Sequence, residues 1–137
     1  ITGYPDETEK DFIELLDFVR DFKFDRLGAF TYSHEESTHA YNLPDRVHVK
    51  EKRERQKLIL EAQRENSLSA NHSLIGQEID VMLDRVENGQ FVGRTYRDAP
   101  EIDQEVYINN NNGLAIGSII KAKVYDTEEF DLFAESK

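Results

Sequence analysis

The sequence predicts an α+β protein in which a strand–helix–strand unit and a long helix precede a small five-stranded antiparallel, OB-like β-barrel. Three observations predict it. Apolar residues recur at helical spacing in the opening segment, the stretch from Val47 to Leu74 contains neither Gly nor Pro, and beyond Gly76 the apolar period falls to two.

From Asp6 to Phe22 the residues Phe12, Leu15, Leu16, Val19 and Phe22 form one helical stripe. Asp6, Glu7 and Glu9 occupy its first turn, where the helix dipole favours negative charge. Asp25 to Tyr32 follows, with Leu27-Gly28-Ala29-Phe30 as a short, nearly continuous apolar run of the kind found in strands buried on both faces. Ile1-Thr2-Gly3 reads as the end of an earlier strand, so the order implies a βαβ unit with parallel pairing. Two such strands cannot bury themselves alone, and the chain, which does not open on Met, is expected to be part of a longer one whose further strands lie upstream.

Ser33 to Asp45 reads as a polar loop and Val47 to Leu74 as a long helix ended by Gly76. Its first half is almost wholly charged over Lys50 to Lys57, which predicts a solvated face with Glu51 paired to Arg55 and Glu54 to Lys57. A contact of this basic cluster with RNA is the sharper but weaker alternative. Ile79, Val81 and Leu83 then alternate with polar positions, and Asn88-Gly89 between apolar flanks is a hairpin signal because both residues tolerate positive φ. Further strands are expected up to Tyr96, over Glu105 to Ile108, over Ser118 to Tyr125 and over Phe130 to Glu135. The domains are therefore read as 1–74 and 75–137.

Composition sets limits on function. With 38% hydrophobic residues, including eight Phe and six Tyr, the chain has enough apolar matter for a packed core, and no apolar run approaches the roughly 20 residues of a spanning helix. Nothing at the amino-terminal end resembles a signal segment, and no membrane association is expected. The absence of cysteine excludes disulfides, thiolate zinc sites and any iron–sulfur cluster held by these residues. The net charge of −11 disfavours non-specific attraction to phosphate and favours basic partners. Residues 75–137 hold 13 acidic against 6 basic side chains, so the barrel is the more acidic part. His34 and His39 bracket two glutamates but stand five residues apart, which turns them off a common helix face and argues against a metal site.

Three segments carry a resemblance. Gly3-Tyr4-Pro5-Asp6-Glu7-Thr8 resembles a Gly-x-Pro-Gly-Glu-Thr segment, with Asp6 in place of Gly. Phe24 to Thr38 resembles a strand followed by a Tyr-Ser-x-Glu-Glu-Gly-Thr loop, with Ser37 in place of Gly, and Phe91 to Asp103 is similar to a TRAM barrel segment. In this order they resemble those of the methylthiotransferase family of radical S-adenosylmethionine enzymes, in its branch that modifies a ribosomal protein. The resemblance implies that residues 1–74 are the end of a radical S-adenosylmethionine α/β barrel with a linker helix, and that residues 75–137 are a TRAM domain. It implies a bacterial, cytoplasmic enzyme that adds a methylthio group to the β-carbon of an aspartate of ribosomal protein S-twelve, on or near the small ribosomal subunit. S-adenosylmethionine and two four-iron four-sulfur clusters would do the chemistry, with all cluster ligands upstream and neither cofactor bound by this segment alone, which is then inactive by itself.

By the same resemblance Gly3, Pro5 and Glu7 are the candidate S-adenosylmethionine contacts, although Glu7 equally suits a helix first turn. The barrel offers two faces. Arg94, Tyr96 and Arg97, with Tyr107, Lys121 and Lys123, compose a minimal RNA-binding set, while Asp98, Glu101 and Asp103 in the loop after Tyr96 suit a basic protein substrate. An ordinary solvated turn is the plain reading of that loop. Two rivals stand beside the S-twelve reading: a MiaB-like tRNA methylthiotransferase, and a non-catalytic RNA-binding or adaptor protein that carries a TRAM barrel.

Overall fold

The computed structural model describes residues 1–100, 102–109 and 113–136, and its contacts divide the chain into two units, Ile1–Asn66 and Ser67–Lys137. The α+β architecture expected from the sequence is present, with two α-helices and a closed five-stranded barrel. No helix among the described residues is long and apolar enough to cross a membrane.

In the first unit, helix α1 (Glu9–Phe22) starts at a capping box: the Asp11 amide donates to the Thr8 hydroxyl and the Thr8 amide to the Asp11 carboxylate. It ends where Lys23 turns left-handed, with φ of 56°. Phe12, Leu16 and Val19 are the buried side of its stripe, and they pack with Ala29, Ile59 and Ala62. Phe22, expected in that stripe, is exposed and clusters instead with Phe18 and Phe24. Helix α2 (Val49–Leu74) is continuous and closely matches the expected span.

Two expectations for this unit need correction. The Asp25–Tyr32 segment is not a regular strand buried on both faces; it makes a single parallel bridge, Thr2 with Thr31, through Thr2 N–H to Phe30 O and Tyr32 N–H to Thr2 O, each 2.8 Å. Gly3 follows Thr2 at φ of 74° and turns the backbone out of the extended region, so the ladder stops after one rung. Nor is the charged half of α2 simply solvated, since Lys52 and Arg55 are 3% and 4% exposed. Lys52 is paired with Asp45 and Arg55 with Glu7, and each cationic head also lies over an aromatic ring, Tyr32 and Phe12, which is what lets a cation sit inside.

The second unit is the barrel: β1 (Glu78–Glu87), β2 (Gln90–Arg94), β3 (Val106–Asn109), β4 (Ile119–Thr127) and β5 (Leu132–Ser136). The order around it is β1-β2-β3-β5-β4, closed between β4 and β1. Asn88 and Gly89, at φ of 50° and 81°, form the expected two-residue hairpin turn between β1 and β2. One pairing departs from the antiparallel expectation: β3 runs parallel to β5. Parity requires it. An odd number of strands cannot alternate in direction around a closed ring, so at least one neighbouring pair must run the same way. Alternation within each strand sends Val81, Leu83, Val106, Ile108, Val124 and Leu132 inward, and all six are fully buried. At Gly93 a Cβ would fall 2.3 Å from the Met82 carbonyl oxygen, so only glycine lets β2 lie this close to β1.

Candidate functional site

The Gly3–Glu7 loop follows the one parallel bridge of the first unit. Glu7 is its organiser: the carboxylate accepts the Gly3 amide at 3.0 Å and pairs with Arg55 at 2.5 Å. Arg55 also reaches Glu51 and contacts Glu9 at 3.5 Å. Burial works against the Arg55 charge, but the Glu7 hydrogen bond and the surrounding carboxylates more than offset it and raise its pKa. Pro5 is fully buried, and a Cβ at Gly3 would fall 2.2 Å from the Lys52 Cγ. The positive φ of the loop thus falls on Gly3, not on Asp6, so the Asp in place of Gly demands no strained backbone. Ser37 differs: it takes φ of 67°, a left-handed conformation that the Gly of the resembling motif adopts without penalty.

Beyond this loop a small polar and aromatic group gathers. Tyr32 meets Tyr4 edge-on, its hydroxyl lies 3.2 Å from His34 Nδ1, and His34 packs on Tyr41 with ring centroids 4.7 Å apart. The Lys52 ammonium lies over the Tyr32 ring at 4.8 Å and bridges to Asp45 at 2.6 Å. Desolvation first, and the Asp45 charge second, raise the Tyr32 pKa. No cluster of three metal-ligating side chains occurs among the described residues.

On the barrel, the β2–β3 loop separates the predicted residues by role. Asp98 is buried; its carboxylate accepts the Thr95 hydroxyl at 2.5 Å and the Thr95 amide at 3.4 Å. Asp103 accepts the Ala99 amide at 2.8 Å. Both carboxylates therefore shape the loop that carries them. Tyr96 is 88% exposed and Arg97 lies along it, with Nε donating to the Tyr96 hydroxyl at 3.0 Å. Arg94 is half-buried and turned back onto β1, 3.1 Å from Asp84 and 3.2 Å from the Met82 sulfur. Glu101 lies outside the described residues.

The outer face across β3, β5 and β4 holds an arrangement of another kind. Tyr107 and Phe133 stand opposite each other on the parallel pair, stacked with centroids 5.5 Å apart, and Tyr125 adds a third ring 6.5 Å from Phe133. Both hydroxyls are tied down: Tyr107 donates to Glu105 at 3.1 Å, and Tyr125 accepts from Asn109 Nδ2 at 2.5 Å. Arg85 fixes Glu105 with two bonds of 2.7 and 2.9 Å and also binds Glu87. That fork holds the Glu105 carboxyl below its ordinary range, Arg85 being the main cause, and lifts the Arg85 guanidinium above its own. The Tyr107 hydroxyl is pushed up by burial first and by Glu105 second.

Residues 75–136, which hold all five strands of the barrel, fit the family model described as the TRAM domain. The chain carries a TRAM domain. Around that domain and across the first unit alike, the sequence is similar to curated proteins named "Ribosomal protein uS12 methylthiotransferase RimO". The one from Cytophaga hutchinsonii is 48% identical over 98% of this chain, that from Desulforamulus reducens 46% over 98%, and that from Chloroherpeton thalassium 44% over 97%. The chain spans about 31% of the length of these relatives.

Within the TRAM domain the structure brings Tyr96, Arg97 and Asp98 together in one loop, leaves Arg94 at the end of β2, and keeps Lys121 and Lys123 on β4, where Lys121 is paired with Asp80 at 2.7 Å. The sequence reading missed Phe133 and Tyr125. A signal was present, because Phe133 stands between the inward Leu132 and Ala134 and must face outward. Its coupling to Tyr107 is a consequence of the parallel register and has no local signature.

Proposed function

We propose that this chain is the carboxy-terminal, substrate-recognising part of a cytoplasmic methylthiotransferase that adds a methylthio group to an aspartate β-carbon of ribosomal protein S-twelve. The observation that carries the reading is the similarity at 44–48% identity to the three relatives named above, across nearly all of this chain. In the proposed parent, S-adenosylmethionine and two four-iron four-sulfur clusters supply the radical chemistry. With no cysteine among its 137 residues, this chain provides no thiolate for either cluster, and no step of that chemistry is assigned to it.

The Gly3–Glu7 loop is the part proposed to border S-adenosylmethionine. Glu7 acts there through the loop, because its carboxylate is already engaged by the Gly3 amide and Arg55. Recognition of S-twelve belongs to the TRAM barrel. Its net charge of −7 favours a basic protein over RNA by complementary potential and faster encounter. The exposed Tyr96 with its neighbour Arg97 keeps a second reading open, a MiaB-like or adaptor-type contact with RNA.

Titrating the chain with S-twelve and with tRNA at two salt concentrations separates these readings. Tighter binding of S-twelve, weakened by salt, is expected. Tighter binding of tRNA overturns the S-twelve reading in favour of the RNA one.

A further inference from the structure

We propose that the aromatic row Tyr107–Phe133–Tyr125 on the outer face of the barrel is a docking platform for arginine side chains of a basic polypeptide segment. The inference deepens the S-twelve reading and rests on it for the identity of the natural partner. The rings are preorganised: they belong to three adjacent strands, and both tyrosine hydroxyls are hydrogen-bonded at the edge of the row. Tyr107 and Phe133 remain partly exposed, and Tyr125 is exposed at 43%.

Charge selects what docks. Glu105 bonds to Tyr107, Asp126 stands opposite Phe133 in the ladder, and Glu135 stands opposite both Asn109 and Lys123. Glu87 and Asp131 add their fields at Tyr107. Lys123 stands opposite Glu135, and Arg85 is already shared between Glu87 and Glu105. A phosphate backbone laid along this row meets net negative potential, so base stacking there would work against its own charge. A guanidinium meets the reverse: ring faces take its plane, and the rim takes its charge. Lysine, a strongly hydrated point charge, gains less from the same surface.

The test uses the whole chain and three probes: an arginine-rich nonapeptide, a lysine-rich peptide of equal length and charge, and a single-stranded RNA oligonucleotide. Titration calorimetry is run on the parent and on the Phe133→Leu and Tyr125→Leu variants, with thermal melts confirming that each folds. The expected result is arginine peptide over lysine peptide over RNA, with a loss of roughly three- to tenfold for the arginine peptide in each leucine variant. Equal affinity for the two peptides, an unchanged arginine affinity in folded Phe133→Leu, or a preference for RNA overturns the platform. S-twelve is titrated in parallel. If it binds the parent and Phe133→Leu equally, the platform is wrong while the S-twelve reading stands. If the arginine peptide behaves as expected and S-twelve does not bind, the platform stands and the S-twelve reading falls.

Discussion

The two units are held together in different ways. In the barrel, stability comes from an apolar interior in which nine aliphatic and aromatic side chains are almost wholly removed from water. In the first unit a smaller apolar cluster is supplemented by polar side chains of α2 that reach across to backbone and carboxylates. Gln56 donates to the Ala29 carbonyl at 2.7 Å, Gln63 to Phe24 at 2.8 Å and Asn66 to Val19 at 2.9 Å, while Arg55 and Lys52 carry buried ion pairs. The difference teaches that the helical unit depends on polar and charged groups keeping specific partners, whereas the barrel is expected to accept repacking that conserves volume.

Removing one charge from the first unit is the harshest way to test this. Arg55→Leu strands Glu7 in a buried position and is expected to cost about 3–5 kcal/mol in urea unfolding of that unit. Adding Glu7→Gln restores part of the loss, and a double variant no more stable than the single one would sink the idea of a matched pair. Leu83→Ala in the barrel is expected to cost about 2–5 kcal/mol through a cavity alone. Here Leu83→Met costs under about 1.5 kcal/mol, and a larger penalty would show that the barrel is no more forgiving.

A gain is available where backbone strain is stored. Ser37→Gly releases the left-handed position at φ of 67° and should stabilise by up to about 1 kcal/mol, read as a higher melting temperature. The smallest effect concerns the barrel surface. Arg85 holds the Glu105 carboxyl below its ordinary range, so the native state keeps Glu105 ionised where the unfolded chain begins to bind a proton. Its contribution is therefore complete above the unfolded carboxyl pKa of about 4.3 and is lost as pH falls through the lower native value. Melting temperatures of the parent and Glu105→Gln should differ modestly near neutrality and converge in acid; a gap that persists at low pH contradicts this assignment.

How much the sequence discloses follows the same division. The barrel was legible because alternation and the Asn88-Gly89 turn are local signals, and Val81, Leu83 and Ile108 went where they point. Its one parallel pairing was not, since strand direction around a ring depends on how many strands close it. In the first unit the helices were legible, yet hydropathy labelled Lys52 and Arg55 as surface, because their partners lie outside the helix: Asp45 in the loop before it, and Tyr32 and Glu7 farther back along the chain. The β2–β3 loop residues were found as a group, but which carboxylates are engaged by the loop itself was set by the bonds of Asp98 to Thr95 and of Asp103 to Ala99, which spacing alone does not announce.

The place of β5 in the ring also constrains the timing of its assembly. Leu132–Ser136 is the strand that joins β3 to β4, so β1, β2, β3 and β4 must wait, with an open border, until it has been synthesised. On a ribosome translating at roughly 5–20 residues per second, that leaves the earlier strands exposed for several seconds after they emerge. Premature termination ahead of Phe133 would then yield a nascent chain with a permanently unclosed edge, a natural substrate for chaperones or proteases.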